Sequence, residues 1–315
     1  MVSRSISTKP AVCADSAVFT KGIPLSTFGF ATLANSSVPA VLCSRGVIAL
    51  DALLDSSPRD FGELIDRWDE VVELADARLG TPESGDLPWC EPDSVIFAPA
   101  GLSRPAIYCA GANYTDHIAE MGGETVERAY HFPTPPRTLN GHGGQVRMPS
   151  GATMLDWEVE LAVVIGRPAR NVDVADALDY ILGYTVANDV SVRDPELMYH
   201  PIFGIDWMAA KNGEGLTVLG PAVVPARLIE DHRNLDLSLT VNGEIRQQSN
   251  TSQMIITVAE QIAALSAAIT LEPGDVVLTG TPAGTAAAHG HYLSDGDVMV
   301  ASVAGIGSIR NTVVS

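Results

Sequence analysis

At 315 residues, with 46% hydrophobic and 18% charged side chains, the chain has an ordinary globular composition and is long enough to bury a large core. Asp and Glu number 38 against 19 Lys and Arg, a formal net charge of −19, which argues against nucleic acid or an anionic membrane as a general partner and means that an anionic substrate needs locally placed positive charge. No apolar run reaches the roughly 18 residues of a membrane helix, and Cys13, Cys43, Cys90 and Cys109 are scattered without a CxxC or Cys/His cluster, which argues against structural zinc.

The first 24 residues are polar and broken (Ser3, Ser5, Ser7, Lys9, Pro10) and lack the apolar centre of a secretory signal. They read as a flexible arm or a dimer-contacting tail, and the chain as cytoplasmic. Short strands are predicted at Thr27–Ala31, Ala40–Cys43 and Gly46–Leu50. Asp51–Leu54 and Phe61–Arg78 read as helices, with Leu64, Ile65, Trp68, Val71, Val72 and Leu74 at helical spacing. Gly80–Pro92 is rich in Gly, Pro and Ser and reads as a linker. The pattern therefore predicts a small N-terminal α+β domain over 25–95 and a larger domain over 96–315.

In the larger domain, Ala106–Gly111 reads as a strand and Thr115–Met121 as a short helix with Thr115 as its cap. Pro133–Pro149 reads as a Pro/Gly-rich loop. Strands then dominate, at Glu158–Ile165, Tyr180–Asp189, Leu235–Val241, Asp275–Thr279 and Asp297–Val303. Asn242-Gly243 marks a hairpin turn, and Ile255–Ala268 an apolar-faced helix. Without internal repeat or sustained βαβ alternation, the fold class is mixed α/β and β-rich, with helices packed outside the sheets.

Several residues carry chemistry. Alternation on a strand puts Asp156, Glu158 and Glu160 on one face, just before the apolar run Leu161–Ile165 enters the core. Three carboxylates there repel one another unless a cation lies between them. A hard divalent ion with oxygen ligands answers that need, and three independent acids on a solvated face are the alternative. His117 and Glu120, three apart on the short helix, share a face, which suits either a general base or a surface ion pair. Asp189 ends an apolar strand and precedes Arg193, fitting a ligand or a structural ion pair, and Arg193 has the fork to hold a substrate carboxylate. Lys211 follows an apolar stretch and either snorkels or sits as a partly buried cation. Thr279–Gly284 is a strand running into a tight turn whose hydroxyls suit an anion, or a plain turn. Cys109 reads as a core thiol, and His289 and His291 as surface residues.

In this order, Ala110–Glu120, Asp156–Gly166, Gly183–Asp194, Leu219-Gly220-Pro221, Val241–Glu244, Thr251–Ile255, Pro273-Gly274-Asp275, Thr279–Gly284 and Gly305–Asn311 resemble the fumarylacetoacetate hydrolase family. The resemblance covers residues 100 to 315 and is weaker over the N-terminal domain. It implies the family's β-sandwich roll. It implies a metal, usually Mg²⁺ and sometimes Mn²⁺ or Ca²⁺, held by Glu158, Glu160 and Asp189. It implies a His117–Glu120 general-base dyad, Lys211 and Arg193 stabilising developing negative charge, and Thr281 and Tyr114 contacting substrate. The resemblance also implies a homodimer, the typical state of family members, and a small 2-oxo or 2,4-dioxo acid as substrate. With the dyad present, the expectation is hydrolysis of a C–C bond in an acylpyruvate-like acid. The alternatives are a 2-oxo acid decarboxylase or keto–enol isomerase, a lyase, and a metal-bound binding protein without turnover.

Three departures shape the expected substrate. Thr134 stands where many members have a lysine, with Arg137 three residues on as a compensating cation. Glu196 replaces a common glutamine, and Glu214 a common aspartate. An acidic pocket with fewer cationic groups predicts a substrate with one carboxylate and a neutral far end, bound near Arg193, Glu196 and Arg137.

Overall fold

The computed structural model describes residues 27–34, 38–102 and 104–315. The expected arm over 1–24 and Cys13 lie outside the described residues. An 11-stranded mixed sheet and a five-stranded sheet dominate the fold. Near the middle of the large sheet runs Val159–Ile165, with Ile181–Asp189 antiparallel on one side and Val276–Leu278 antiparallel on the other. Every residue of this strand is buried. The pleat sorts its side chains. Val159, Leu161, Val163 and Ile165 enter a core shared with Leu237 and Leu239 of Asp236–Val241 and with Met299 and Ala301 of Val298–Val303, both in the five-stranded sheet. Ala162 and Val164 face the opposite way, into a core with Phe30, Leu64, Trp68 and Val276. Each buried Val, Leu or Ile contributes ~1.5–3 kcal/mol, so the strand is anchored from both sides.

The N-terminal strands Phe28–Thr32, Pro39–Cys43 and Gly46–Ala49 form a meander, and the first of them pairs with Ala222–Pro225 of the large sheet. Sheet and core therefore both cross the boundary expected near residue 95. The long helix predicted over 61–78 is two helices, Phe61–Asp66 and Trp68–Leu79, separated at Arg67 (φ −113°, ψ 21°). The first is capped by the Asp60 carboxylate, which accepts the Glu63 N–H at 2.9 Å. The predicted linker contains a 3₁₀ turn at Pro82–Asp86, and a second, Pro92–Ser94, begins at its last residue.

The predicted loop over 133–149 holds parts of three strands instead, the two-residue Leu139–Asn140 pairing with Thr217–Leu219. His131–Thr134 extends the large sheet beside Ile107–Ala110, and Gln145–Arg147 extends the small one. Such short edge strands contain too few residues for a period to show. Asn242 and Gly243 both have positive φ (53° and 84°), the two-residue hairpin turn that their types predict. Helix Val258–Ala268 begins at a capping box formed by Thr257 and Glu260. The mixed α/β, sheet-rich class stands. No helix among the described residues is long and apolar enough to cross a membrane.

Candidate active site

The strand register assembles three acids. Ala187 lies opposite Glu160, and the Asp189 N–H donates to the Glu158 carbonyl at 2.9 Å. The pleat then places Glu158, Glu160 and Asp189 on one face of adjacent strands. All three are buried, and one carboxylate oxygen from each lies within 4.8 Å of the others. A solvated acidic face is therefore excluded. Asp156 does not join them. The strand is interrupted after Leu155–Asp156, and this fully buried carboxylate accepts from Arg193 Nε (3.0 Å) and from the backbone N–H groups of Trp157, Ala286 and Ala287. It secures Arg193 and the chain after the Thr279–Gly284 turn.

Two cations balance these acids in part. Lys211, at the end of helix Trp207–Lys211, is 3% exposed and does not snorkel. Its Nζ donates to Glu158 Oε2 and Asp189 Oδ2, both at 2.6 Å, and to the Asp189 carbonyl at 3.2 Å. All three ammonium protons are thus engaged. Arg193 donates to Asp156 and to Glu158 Oε1, so its fork is occupied by protein carboxylates. Four carboxylates meet two cations, leaving two negative charges.

The ionisation states follow from that imbalance. Burial opposes charge on Glu158, but Lys211 and Arg193 overcome it and hold the carboxyl below its ordinary range. Among the described residues no cation pairs directly with Glu160, whose Oε2 accepts the Gly280 N–H at 2.6 Å. Burial, reinforced by the Asp189 and Glu158 charges, pushes it well above the usual glutamate value. Burial also raises Asp189, against the pull of Lys211. Burial disfavours the Lys211 ammonium, but the Asp189 and Glu158 carboxylates hold its pKa above the ordinary lysine value.

A divalent cation fits this cluster. Its donors are all carboxylate oxygens, Asp189 Oδ1 is buried without a hydrogen-bond partner, and the residual charge matches a doubly charged ion.

The dyad lies on helix Thr115–Glu120. Tyr114 is the residue at its N-cap. Thr115, expected as the cap, is instead the first helical residue, and its hydroxyl is bound to Gln253. His117 Nδ1 faces Glu120 Oε2 at 3.2 Å, and both side chains are largely buried. The helix is held against the 281–284 turn by two acids. The Gly284 N–H donates to both Glu120 oxygens, at 2.9 and 3.2 Å, and the Ala283 N–H to Asp116 at 3.3 Å. Trp157, between Asp156 and Glu158, donates its Nε1–H to the Gly284 carbonyl at 3.0 Å. The turn thus ties the dyad to the acid-bearing strand.

The other expected site residues fall differently. Tyr114 is fully buried; burial and the Glu160 and Asp116 charges push its phenol well above the usual range. The Thr281 hydroxyl donates to the Val159 carbonyl and accepts from Gln247 Nε2, both at 2.9 Å, so its proton is committed within the protein. Arg137 is exposed, two residues before Leu139, which pairs with Thr217. Glu196 and Glu214 are also exposed. Thr134 is buried beside the Cys109 thiol, which burial and then the Asp189 and Glu160 charges raise well above its usual value.

Three supporting residues escape sequence reasoning. Gln247 joins the Val159 N–H to Thr281 and Pro282. Asn113 joins the Ile256 backbone to the Thr279 carbonyl. His289 Nε2 lies 3.4 Å from Glu120 Oε1. Their partners are distant in the chain, and no local spacing announces them.

A β-rich fold dominated by two sheets thus carries a buried acid triad beside a His–Glu pair, the arrangement of a candidate metal-assisted enzyme. Residues 106–314 match the family model for the fumarylacetoacetate (FAA) hydrolase C-terminal region. The chain belongs to the fumarylacetoacetate hydrolase family. It is similar to the mitochondrial oxaloacetate tautomerase Fahd2a of Rattus norvegicus, with 34% identity over 85% of this chain and 84% of that protein. Among solved structures, it resembles the fumarylpyruvate hydrolase of Pseudomonas aeruginosa in complex with Mn²⁺ and pyruvate: 29% identity, TM-score 0.61, 68% of this chain and 91% of that one. It also resembles the fumarylacetoacetate hydrolase of Exiguobacterium antarcticum: 27% identity, TM-score 0.74, 92% of this chain and 99% of that one.

Proposed function

We propose that the protein is a divalent-metal-dependent hydrolase that cleaves a C–C bond of an acylpyruvate-like 2,4-dioxo acid to pyruvate and a carboxylic acid. The observation that carries this reading is the His117–Glu120 pair, fastened through Gly284 and Trp157 to the strand that bears Glu158 and Glu160. Glu158, Glu160 and Asp189 would hold the ion, with Mg²⁺ as the first choice and Mn²⁺ or Ca²⁺ as alternatives. Such an ion supplies Lewis-acid polarisation of the 2-keto group and charge stabilisation of an enolate.

The chain's own residues would do the rest. Donation of the His117 Nδ1–H to Glu120 leaves Nε2 as the base that takes a proton from water. Lys211, its three protons already engaged, acts through its charge, which favours the ionised forms of Glu158 and Asp189. Arg193 orients Glu158 from the other side. With the Thr281 proton committed to Val159, substrate carboxylate binding falls to the exposed Arg137 and to the ion. One carboxylate and a neutral far end remain the substrate expected from Thr134, Glu196 and Glu214. The active unit is proposed to be a cytoplasmic homodimer.

Turnover of small acylpyruvates with Mg²⁺ and with EDTA, followed by enol absorbance and a pyruvate assay, tests the reading. Metal-dependent pyruvate release supports it, and faster turnover of a dicarboxylic acylpyruvate would overturn the assignment of the far end. A second reading, keto–enol tautomerisation of a 2-oxo acid, is favoured by the oxaloacetate tautomerase relative. In that case the absorbance changes and no pyruvate is released.

A further inference from the structure

The Glu120 carboxylate stands between two imidazoles. Oε2 faces His117 Nδ1 at 3.2 Å, and Oε1 faces His289 Nε2 at 3.4 Å. Side-chain exposure rises in that order outward, from 10% at His117 and 15% at Glu120 to 59% at His289. The inner imidazole is thus shut away from water and the outer one is in it. The Gly284 N–H reaches both oxygens of Glu120 and holds the carboxyl between the imidazoles, so a half-turn that exchanges the two oxygens restores the same contact. His289 is the last residue of the short helix Ala286–His289, whose start is held by Asp156 through the Ala286 N–H.

Hydrolysis of an acylpyruvate at neutral pH has a proton surplus. Water adds to the distal carbonyl, the C–C bond breaks, and the pyruvate carbon takes up one proton. His117 returns the proton taken from water to that carbon and then accepts the proton of the carboxylic acid that forms, so one proton per turnover must leave His117, which is almost closed off, for solvent.

Resting on the hydrolase reading, we infer that His289 is the outer member of a proton relay, His117–Glu120–His289, that carries this proton from the enclosed base to bulk water. The transfer balances at each step. The His117 Nδ1–H bond breaks as an O–H bond forms on Glu120 Oε2. A half-turn of the carboxyl presents the proton to His289, and the O–H bond breaks as Nε2–H forms. His289 then releases a proton to water from its other nitrogen. No external oxidant or reductant takes part. The 3.4 Å separation suits a contact that tightens during turnover.

Replacement by glutamine keeps a polar side chain of similar reach that cannot titrate. His289→Gln is expected to lower kcat for pyruvate release about tenfold in weakly buffered solution, with KM unchanged, a smaller loss than that of a group acting directly on the reacting atoms. Added imidazole should restore kcat in proportion to its concentration, and it should do the same for His289→Ala. A merely structural role would not respond to a small-molecule buffer. An unchanged kcat in His289→Gln, or a loss that imidazole does not repair in either variant, would overturn the relay. The parent enzyme in the same assay separates the two failures. If it releases no pyruvate, the hydrolase reading fails, and the relay with it. If it is active while the variants behave like it, only the relay fails.

Discussion

Gly284 donates its one N–H to both oxygens of Glu120, at 2.9 and 3.2 Å, so the carboxylate of the proposed dyad is positioned by a backbone group 164 residues away. Gly284 has φ +99°, and a Cβ there would meet the Arg246 carbonyl at 2.1 Å. Both facts require glycine. Gly284→Ala is expected to destabilise the fold by about 1–3 kcal/mol through strain and overpacking. It should also lower kcat, because the turn cannot move without releasing Glu120. Chemical denaturation and turnover on the same sample check this. Full activity would show that Glu120 is oriented without Gly284.

The acid triad predicts a separation of stability from metal binding. Glu160 is the carboxylate that burial and its neighbours most resist charging. Glu160→Gln removes that charge at constant shape, so the metal-free protein should be at least as stable as the parent. The parent should gain about 2.7 kcal/mol from an ion at a hundred times its Kd, and the variant should gain almost none. Thermal melts with EDTA and with Mg²⁺ or Mn²⁺ decide it. An undiminished metal shift in the variant would remove Glu160 from the ligand set.

His117→Ala probes the base alone. Metal-dependent stabilisation should persist, since the imidazole is not among the clustered oxygen donors. Hydrolysis should fall by roughly 10²–10⁴, the usual worth of a general base. A variant that retains its full hydrolytic rate would end the dyad assignment.

The acid limb of stability should contain a contribution from His142, away from the site. Its Nδ1 accepts the Arg310 N–H at 3.1 Å, and burial, with help from the Arg310 charge, pushes its pKa down from 6.5 to about 3. The folded value lies below the unfolded one, so the unfolded chain takes up a proton that the folded chain refuses. This contribution is complete above pH 6.5 and is lost as pH falls from there toward about 3. His142→Asn keeps an acceptor that does not titrate. Urea midpoints at neutral pH and at about pH 4.5 should therefore differ less in the variant than in the parent. An equal difference would sink the assignment.

The site residues divide by how much of their role was local. The strand period placed Glu158 and Glu160 on one face and drove Leu161–Ile165 into the core, and the i, i+3 spacing paired His117 with Glu120; all of this held. The same period put Asp156 with the other two acids, and there it failed. The strand breaks between Asp156 and Val159, and Asp156 turns to Arg193 and to the backbone at Ala286. Side-chain alternation is a property of unbroken strands, and a break is decided by contacts elsewhere. The sequence offers the Arg193 fork either a substrate carboxylate or an ion pair, and the family resemblance assigns Thr281 to substrate. Their actual partners are 35 or more residues away for Arg193, and 34 and 122 residues away for Thr281.

By itself, the sequence determined which residue types sit at which phase of which element, and so the β-rich class, the acid pair on one strand and the His–Glu pair on one helix turn. These follow from backbone periodicity and need no knowledge of the rest of the chain. The family resemblance already grouped Asp189 with the acid pair; only the tertiary structure decided the register that brings its carboxylate beside them, that Lys211 and Arg193 are consumed in balancing the acids, that Glu120 hangs on Gly284, and that His289 stands at its outer edge. Those outcomes depend on strand register and on charge balance in a buried space, and both are set by pairings between residues far apart in the chain.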